Sequence, residues 1–118
     1  MLKGIHSVLI WTEDLNRLVP FYRDVLGLTP EIESEGFFVF AASSGAQLAL
    51  GTHSEVKGRS KDPYRVMVDL TVDDCQAEYE RLNAKGVEFI RRPSRDEGAT
   101  IATFLDPDGN LLQLFQEG

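Results

Sequence analysis

FLDPDGNLLQLF, residues 104–115, is two apolar runs joined by a tight acidic turn. The turn residues explain themselves: aspartate side chains bond to nearby backbone, proline presets φ and glycine accepts a positive φ. The stretch therefore predicts a hairpin between the strands ATIATFL (99–105) and NLLQLFQ (110–116). Upstream lies a further strand, VEFIRRP (87–93), preceded by the helical stretch DDCQAEYERLNAKG (73–86). Asp73 or Asp74 serves as its N-cap and Gly86 as its C-cap. RVMVDLTV (65–72) opens the series as a strand rich in β-branched residues.

The first half of the chain repeats this order. IHSVLIWT (5–12) is strand-like, and EDLNRLVPFYRDVLGL (13–28) places Leu18, Phe21, Tyr22, Val25 and Leu26 at helical spacing. Proline is tolerated in a first helical turn, so Pro20 puts the helix start near Arg17. Strands are expected at Thr29–Glu33, Phe37–Ala42 and Gln47–Gly51, with turns at Gly36 and Ser43–Gly45. Gly45 matches Gly109, and Asp14 matches Asp74. The fold class is thus α+β, one βαβββ module at about 1–53 and a second at about 64–118, with a polar linker at about 54–63. A single such module buries too little apolar surface to stand alone. The two are expected to pack as one domain over 1–118, a cup-shaped mixed sheet around a pocket with the helices outside.

With 42% hydrophobic and 26% charged residues the chain is globular in composition rather than disordered. No apolar run approaches the roughly 20 residues of a membrane span, and the N-terminus lacks a signal-peptide apolar core. The expected location is cytoplasmic, and a single cysteine, Cys75, fits a reducing compartment. Net charge is −7, shared between residues 1–58 (4 bases, 7 acids) and 59–118 (8 bases, 12 acids), so there is no charged tail. That balance repels a phosphate backbone and argues against a nucleic-acid partner. It either attracts a cationic small molecule or simply keeps the protein in solution. Nucleotide loops and paired C-x-x-C motifs are absent, and no cofactor is expected. Cys75 lies near a helix N-terminus, but Asp73 and Asp74 oppose a thiolate there, and it reads as inert.

EDLNRLVPFYRDVLGL resembles the first-helix signature of the vicinal-oxygen-chelate superfamily, which includes glyoxalases, extradiol dioxygenases, fosfomycin-resistance enzymes and bleomycin-resistance proteins. VDDCQAEYERLNAKGVEF resembles its second helix and FLDPDGNLLQLF its last hairpin. The resemblance implies the cup of paired modules. In the enzymes it also implies a divalent cation held by His and Glu from the first and last strand of each module. Carried over by position, those ligands fall on Ser7, Ala49, Met67 and Gln113. Alanine offers no donor, a thioether does not hold a hard cation, and neutral Ser and Gln oxygens do not offset the stripping of water from a dication. No metal is expected at these positions.

Strand alternation proposes what lines the cup instead. Ser7, Leu9 and Trp11 share one face, leaving His6 with Val8 and Ile10 toward the helix. Met67, Asp69 and Thr71 share a face, leaving Val66, Val68, Leu70 and Val72 as an apolar face toward the helix. Gln47 and Ala49, and Leu111, Gln113 and Phe115, complete the lining, with Phe38 and Phe40 as further aromatic wall. Apolar walls with sparse polar anchors suit a small molecule, and aromatic faces beside a carboxylate suit a flat cation. Asp69 is either a buried carboxylate paired with a base such as Arg65 or a proton acceptor, the one candidate catalytic group. Lys57, Arg59, Lys61, Arg65, Arg91, Arg92 and Arg95 are either a solvated rim or a site for an anion. His53 reads as a surface residue.

Three functions follow. The first is a metal-independent protein that binds and sequesters a small aromatic molecule, cationic in one version, similar to the bleomycin-resistance type and hence to antibiotic resistance. The second is a glyoxalase-like isomerase, lyase or dioxygenase with an unconventional or metal-free site. The third is an accessory domain whose cup is plugged by its own side chains. A homodimer is expected, because a curled sheet with free edges is readily completed by a second chain; no membrane partner is.

Overall fold

Unit 1, Met1–Gly58, and unit 2, Arg59–Gly118, each close on their own sheet in the computed structural model, which describes residues 1–40 and 45–118. In unit 1, β1 (Ser7–Thr12), β2 (Pro30–Ser34), β3 (Phe37–Phe40) and β4 (Gln47–Thr52) form a four-stranded sheet in the order β1-β4-β3-β2. β1 runs parallel to β4, and the other pairs are antiparallel. Unit 2 repeats the arrangement with β5 (Val68–Thr71), β6 (Phe89–Asp96), β7 (Ala99–Leu105) and β8 (Leu111–Glu117), ordered β5-β8-β7-β6 with β5 parallel to β8. Each unit is therefore a βαβββ module, and the α+β class stands. The expected turn at 43–45 and the end of the expected strand at 41–42 lie in or border on 41–44, outside the described residues.

The first helix, α1 (Leu15–Pro20), begins two residues before the expected start. Asp14 caps it by accepting from the Asn16 N–H at 3.0 Å, and Thr12 Oγ1 accepts from the Asp14 N–H at 3.1 Å. Pro20 is thus at the end of the helix rather than in its first turn. Its ring has no N–H to give and crowds the carbonyl four residues back. The chain widens there into a π-helical turn, Phe21–Val25. Leu18 and Tyr22 are fully buried, as are Phe40 and Leu50. Val8, Ile10, Leu48, Leu50, Phe38 and Phe40 share the face that α1 covers.

α2 (Cys75–Ala84) is capped by Asp74, whose Oδ1 accepts from the Ala77 N–H at 3.0 Å. It ends before Gly86, whose φ of 86° lets the Gly86 and Val87 N–H groups reach back to Asn83 and Leu82. Its Tyr79 meets Phe89 edge-on at 4.7 Å, and Phe89 in turn meets Phe104, tilted, at 5.3 Å. Phe104, Leu112, Leu114 and Ala102 lie in that buried layer.

β5 is shorter than expected. Val66, 72% exposed, and Met67 precede it, so Val66 is no part of the apolar face toward α2. β6 runs past Pro93 to Asp96, because an edge strand with register shifts tolerates a residue lacking a donor. The segment just before β5 is tied to the last hairpin of unit 2. Ser60 N–H donates to the Asp108 carbonyl at 2.8 Å and Arg59 Nη1 to that of Pro107 at 3.3 Å. Gly109 leaves room for that arginine: a Cβ there would stand 3.0 Å from Arg59 Nη2. Among the described residues no helix is long and apolar enough to cross a membrane.

Candidate functional site

The sheet face of unit 2 turned away from α2 carries a line of polar side chains. Asp69 pairs in register with Gln113 across β5 and β8, and Gln113 with Thr103 across β8 and β7. Gln113 Nε2 donates to Asp69 Oδ1 at 2.9 Å, and Thr103 Oγ1 donates to Gln113 Oε1 at 3.0 Å. The direction is set by chemistry. A carboxylate only accepts, so the amide nitrogen must face Asp69 and its oxygen the hydroxyl. Thr103 is buried, Gln113 half-buried and Asp69 exposed. Asp69 is therefore not a buried carboxylate, and its partner is Gln113; Arg65 instead pairs with Asp62 at 3.0 Å. In the neighbouring row Thr71, Phe115 and Ile101 stand side by side.

On unit 1 the equivalent face is aromatic and aliphatic. Trp11, Gly51 and Phe37 share one row, and Leu9, Ala49, Val39 and Ile32 the next. The Trp11 and Phe37 ring centroids are 6.2 Å apart, and the His53 ring meets Trp11 edge-on at 5.6 Å. Gly51 makes this possible: a Cβ there would stand 2.5 Å from one Trp11 ring atom and 2.9 Å from one of Phe37. Leu9 and Trp11 remain 45% and 39% exposed. Ser7 and Gln47 are partners at the start of the two strands.

Several expected positions change. Phe38 and Phe40 pair with Leu50 and Leu48, on the α1 face, and so do not share a wall with Trp11. Phe37 holds that place, and Phe38 lines a hollow with Leu15 and Val19 of α1. Met67 lies outside β5, so it has no register partner on β8. His6 is exposed, its Nδ1 3.2 Å from Ser7 Oγ, and is not packed beneath α1. His53 engages Trp11, a contact that nothing in the local sequence announces.

The four positions to which the resemblance carries metal ligands do not fit a divalent cation. Ala49 has no donor atom. Ser7 offers only a neutral hydroxyl, and Met67 offers only sulfur. Gln113 offers only a neutral amide oxygen, shared with Thr103, and no carboxylate. Among the described residues no group of three or more His, Cys, Asp or Glu side chains is arranged to hold a metal. Cys75 is fully buried; desolvation, with the Asp74 charge adding to it, pushes its thiol above the usual range.

Of the basic residues in the expected rim, Arg91 and Arg95 have partners nearby. Arg91 meets Asp96 at 3.5 Å and Ser94 Oγ at 3.0 Å, and Arg95 donates to Thr100 and to the Gly118 carbonyl. Beside them is a half-open hollow of about 280 Å³.

Known proteins resemble this chain along its whole length. The uncharacterized protein YurT of Bacillus subtilis (strain 168) is 32% identical over 120 residues, covering 92% of this chain and 94% of its own. The metallothiol transferase FosB of Staphylococcus haemolyticus is 28% identical over 118 residues, covering 97% and 84%. The crystal structure of TnmS3, an antibiotic binding protein from Streptomyces sp. CB03234, superposes with a TM-score of 0.79 at 21% identity, covering 99% and 98%. The family model for the Glyoxalase/Bleomycin resistance protein/Dioxygenase superfamily matches residues 4–114, and together with the duplicated βαβββ units this establishes that the chain belongs to that superfamily.

Proposed function

We propose that this protein binds and sequesters a small aromatic molecule without the help of a metal ion. The observation that carries the reading is the Gln113 amide, fixed between Thr103 and Asp69 at 3.0 and 2.9 Å. A side chain held in that way offers a neutral, oriented hydrogen-bonding edge and no anionic ligand. Phe115 and Ile101 beside it, and the Trp11–Phe37 pair on unit 1, are surfaces on which a flat ring stacks. TnmS3, an antibiotic binding protein, supports the same class of function by analogy of fold. The name of FosB, metallothiol transferase, supports the competing enzymatic reading.

Native mass spectrometry of protein purified without chelator separates the two. The expected spectrum has no divalent ion, with or without an organic adduct, and a dimer mass. One divalent ion per chain, lost on adding chelator, would overturn the proposal and favour the enzyme.

A further inference from the structure

On the same face of unit 2 a hollow extends beyond the polar line and shares Gln113 with it. The half-open hollow of about 280 Å³ at the β6–β7 turn is lined by Asp96, Glu97, Ala99, Ile101, Gln113 and Phe115. Its walls are of three kinds. Ile101 and Ala99 form an apolar floor, both less than 10% exposed. Phe115 adds an aromatic side. Two carboxylates and one amide close the remainder.

The two carboxylates are not equivalent. Asp96 is in contact with Arg91 at 3.5 Å, which offsets its charge. Arg95, the other guanidinium near this strand, is in the row of Thr100 and Gln116, which alternates with the Ile101–Phe115 row, and is not among the lining residues. The carboxylate left to give the hollow its sign is that of Glu97. Gln113 contributes as well. Its oxygen has two lone pairs, of which Thr103 takes one, so one acceptor site is left for a donor in the hollow.

We propose that this hollow takes the ammonium group of an organic cation, with the charge beside Glu97, an N–H donated to Gln113 Oε1, and the apolar part of the molecule against Phe115 and Ile101. The proposal rests on the sequestering function above and names its ligand class: an amine with an aromatic or aliphatic body, rather than an anion or a neutral ring. A carboxylate and a neutral acceptor are complementary to an ammonium ion, and an aromatic side to its apolar body. They would repel or leave unpaired a carboxylate or phosphate.

The test is an NMR titration of ¹⁵N-labelled full-length protein with benzylammonium and with benzyl alcohol, which share a ring and differ in charge. It is run on the wild type and on Glu97→Gln, with and without chelator. Glu97→Gln keeps the size and backbone demand of the side chain, so folding is unaffected. Benzylammonium is expected to shift the amides of Glu97, Gly98 and Phe115 saturably and to bind about fivefold more tightly than benzyl alcohol. In Glu97→Gln the difference should vanish. Equal affinities in the wild type, shifts elsewhere, no binding of either probe, or an unchanged ratio in Glu97→Gln would each overturn the ammonium site.

The two proposals fail separately. Chelator-insensitive binding of benzylammonium that ignores Glu97→Gln leaves sequestration standing and removes the ammonium site. A tightly held divalent ion with the Glu97 effect intact does the reverse.

Discussion

Gln113 donates its side-chain N–H to Asp69 Oδ1 at 2.9 Å, joining the first and last strands of unit 2 through side chains as well as backbone. Gln113→Glu would replace that donor with a second carboxylate. We expect a loss of about 1–2 kcal/mol at neutral pH. Urea denaturation at pH 7 measures it, with Gln113→Ala as the comparison that removes the donor without adding charge.

Gly51→Ala tests the aromatic surface of unit 1. The added methyl meets ring atoms of Trp11 at 2.5 Å and Phe37 at 2.9 Å, so at least one ring must move. A destabilisation of about 1–3 kcal/mol is expected. The fluorescence of Trp11, the one tryptophan in the chain, should shift with it.

The acidic turn of the last hairpin depends on Asp106. One of its oxygens accepts from the N–H groups of Asp108 and Asn110, and the other from Asn110 Nδ2, all at 2.9 Å. The carboxylate is 3% exposed, so Asp106→Ala leaves buried donors without an acceptor. The cost should be about 2 kcal/mol, and Asp106→Asn, which keeps one oxygen, should lose less. Thermal unfolding of the two variants gives the comparison.

Cys75 sets a pH dependence. Its folded value lies above the ordinary 9.0 because burial disfavours the thiolate, with Asp74 adding to the effect. The group's contribution to stability is then fully present below the unfolded value and lost as pH rises through the folded one. Unfolding free energy should fall more steeply above pH 9 in the wild type than in Cys75→Ala. Iodoacetamide should react with native protein far more slowly than with unfolded protein.

Glu97 has a φ of 45° in the two-residue turn before β7, followed by Gly98 at 83°. A side chain in that region costs about 1 kcal/mol, and asparagine or glycine suits it better. Glu97→Asn should therefore raise stability by about that amount while weakening the binding of benzylammonium. A variant that gained stability and kept the affinity would separate the turn from the site.

The parts of the fold that could be read from the sequence are those with local causes. The hairpin at 104–115 shows its turn in Asp106, Pro107 and Gly109, and the second helix shows its cap in Asp74, whereas the expected start near Arg17 passes over the Asp14 cap of the first. Where the physics is not local, the reading failed. Pro20 suggested a helix start, because a sequence does not show that a π-helical turn will absorb the proline. Phe37, Phe38 and Phe40 lie in an all-apolar run, so no alternation fixed which faced α1, and a shift of one residue exchanges the faces. The Asp69–Gln113 bond joins residues that only the parallel pairing of β5 with β8 brings together. Glu97 was invisible as a wall because nothing in DEG distinguishes a tight turn from any other loop.

The parallel pairing of the first strand with the last, in both units, has a consequence for how the protein is made. β1 finds its only described strand partner in β4, and β5 in β8. On the ribosome the earliest strand of each unit must therefore wait, unpaired, until the latest has emerged from the exit tunnel. Such long-range closure is slow compared with hairpin formation. During that interval the exposed strands, SVLIWT in particular, are open to wrong partners. Translation speed across each unit, as much as its final contacts, then governs how much of the protein reaches its native state.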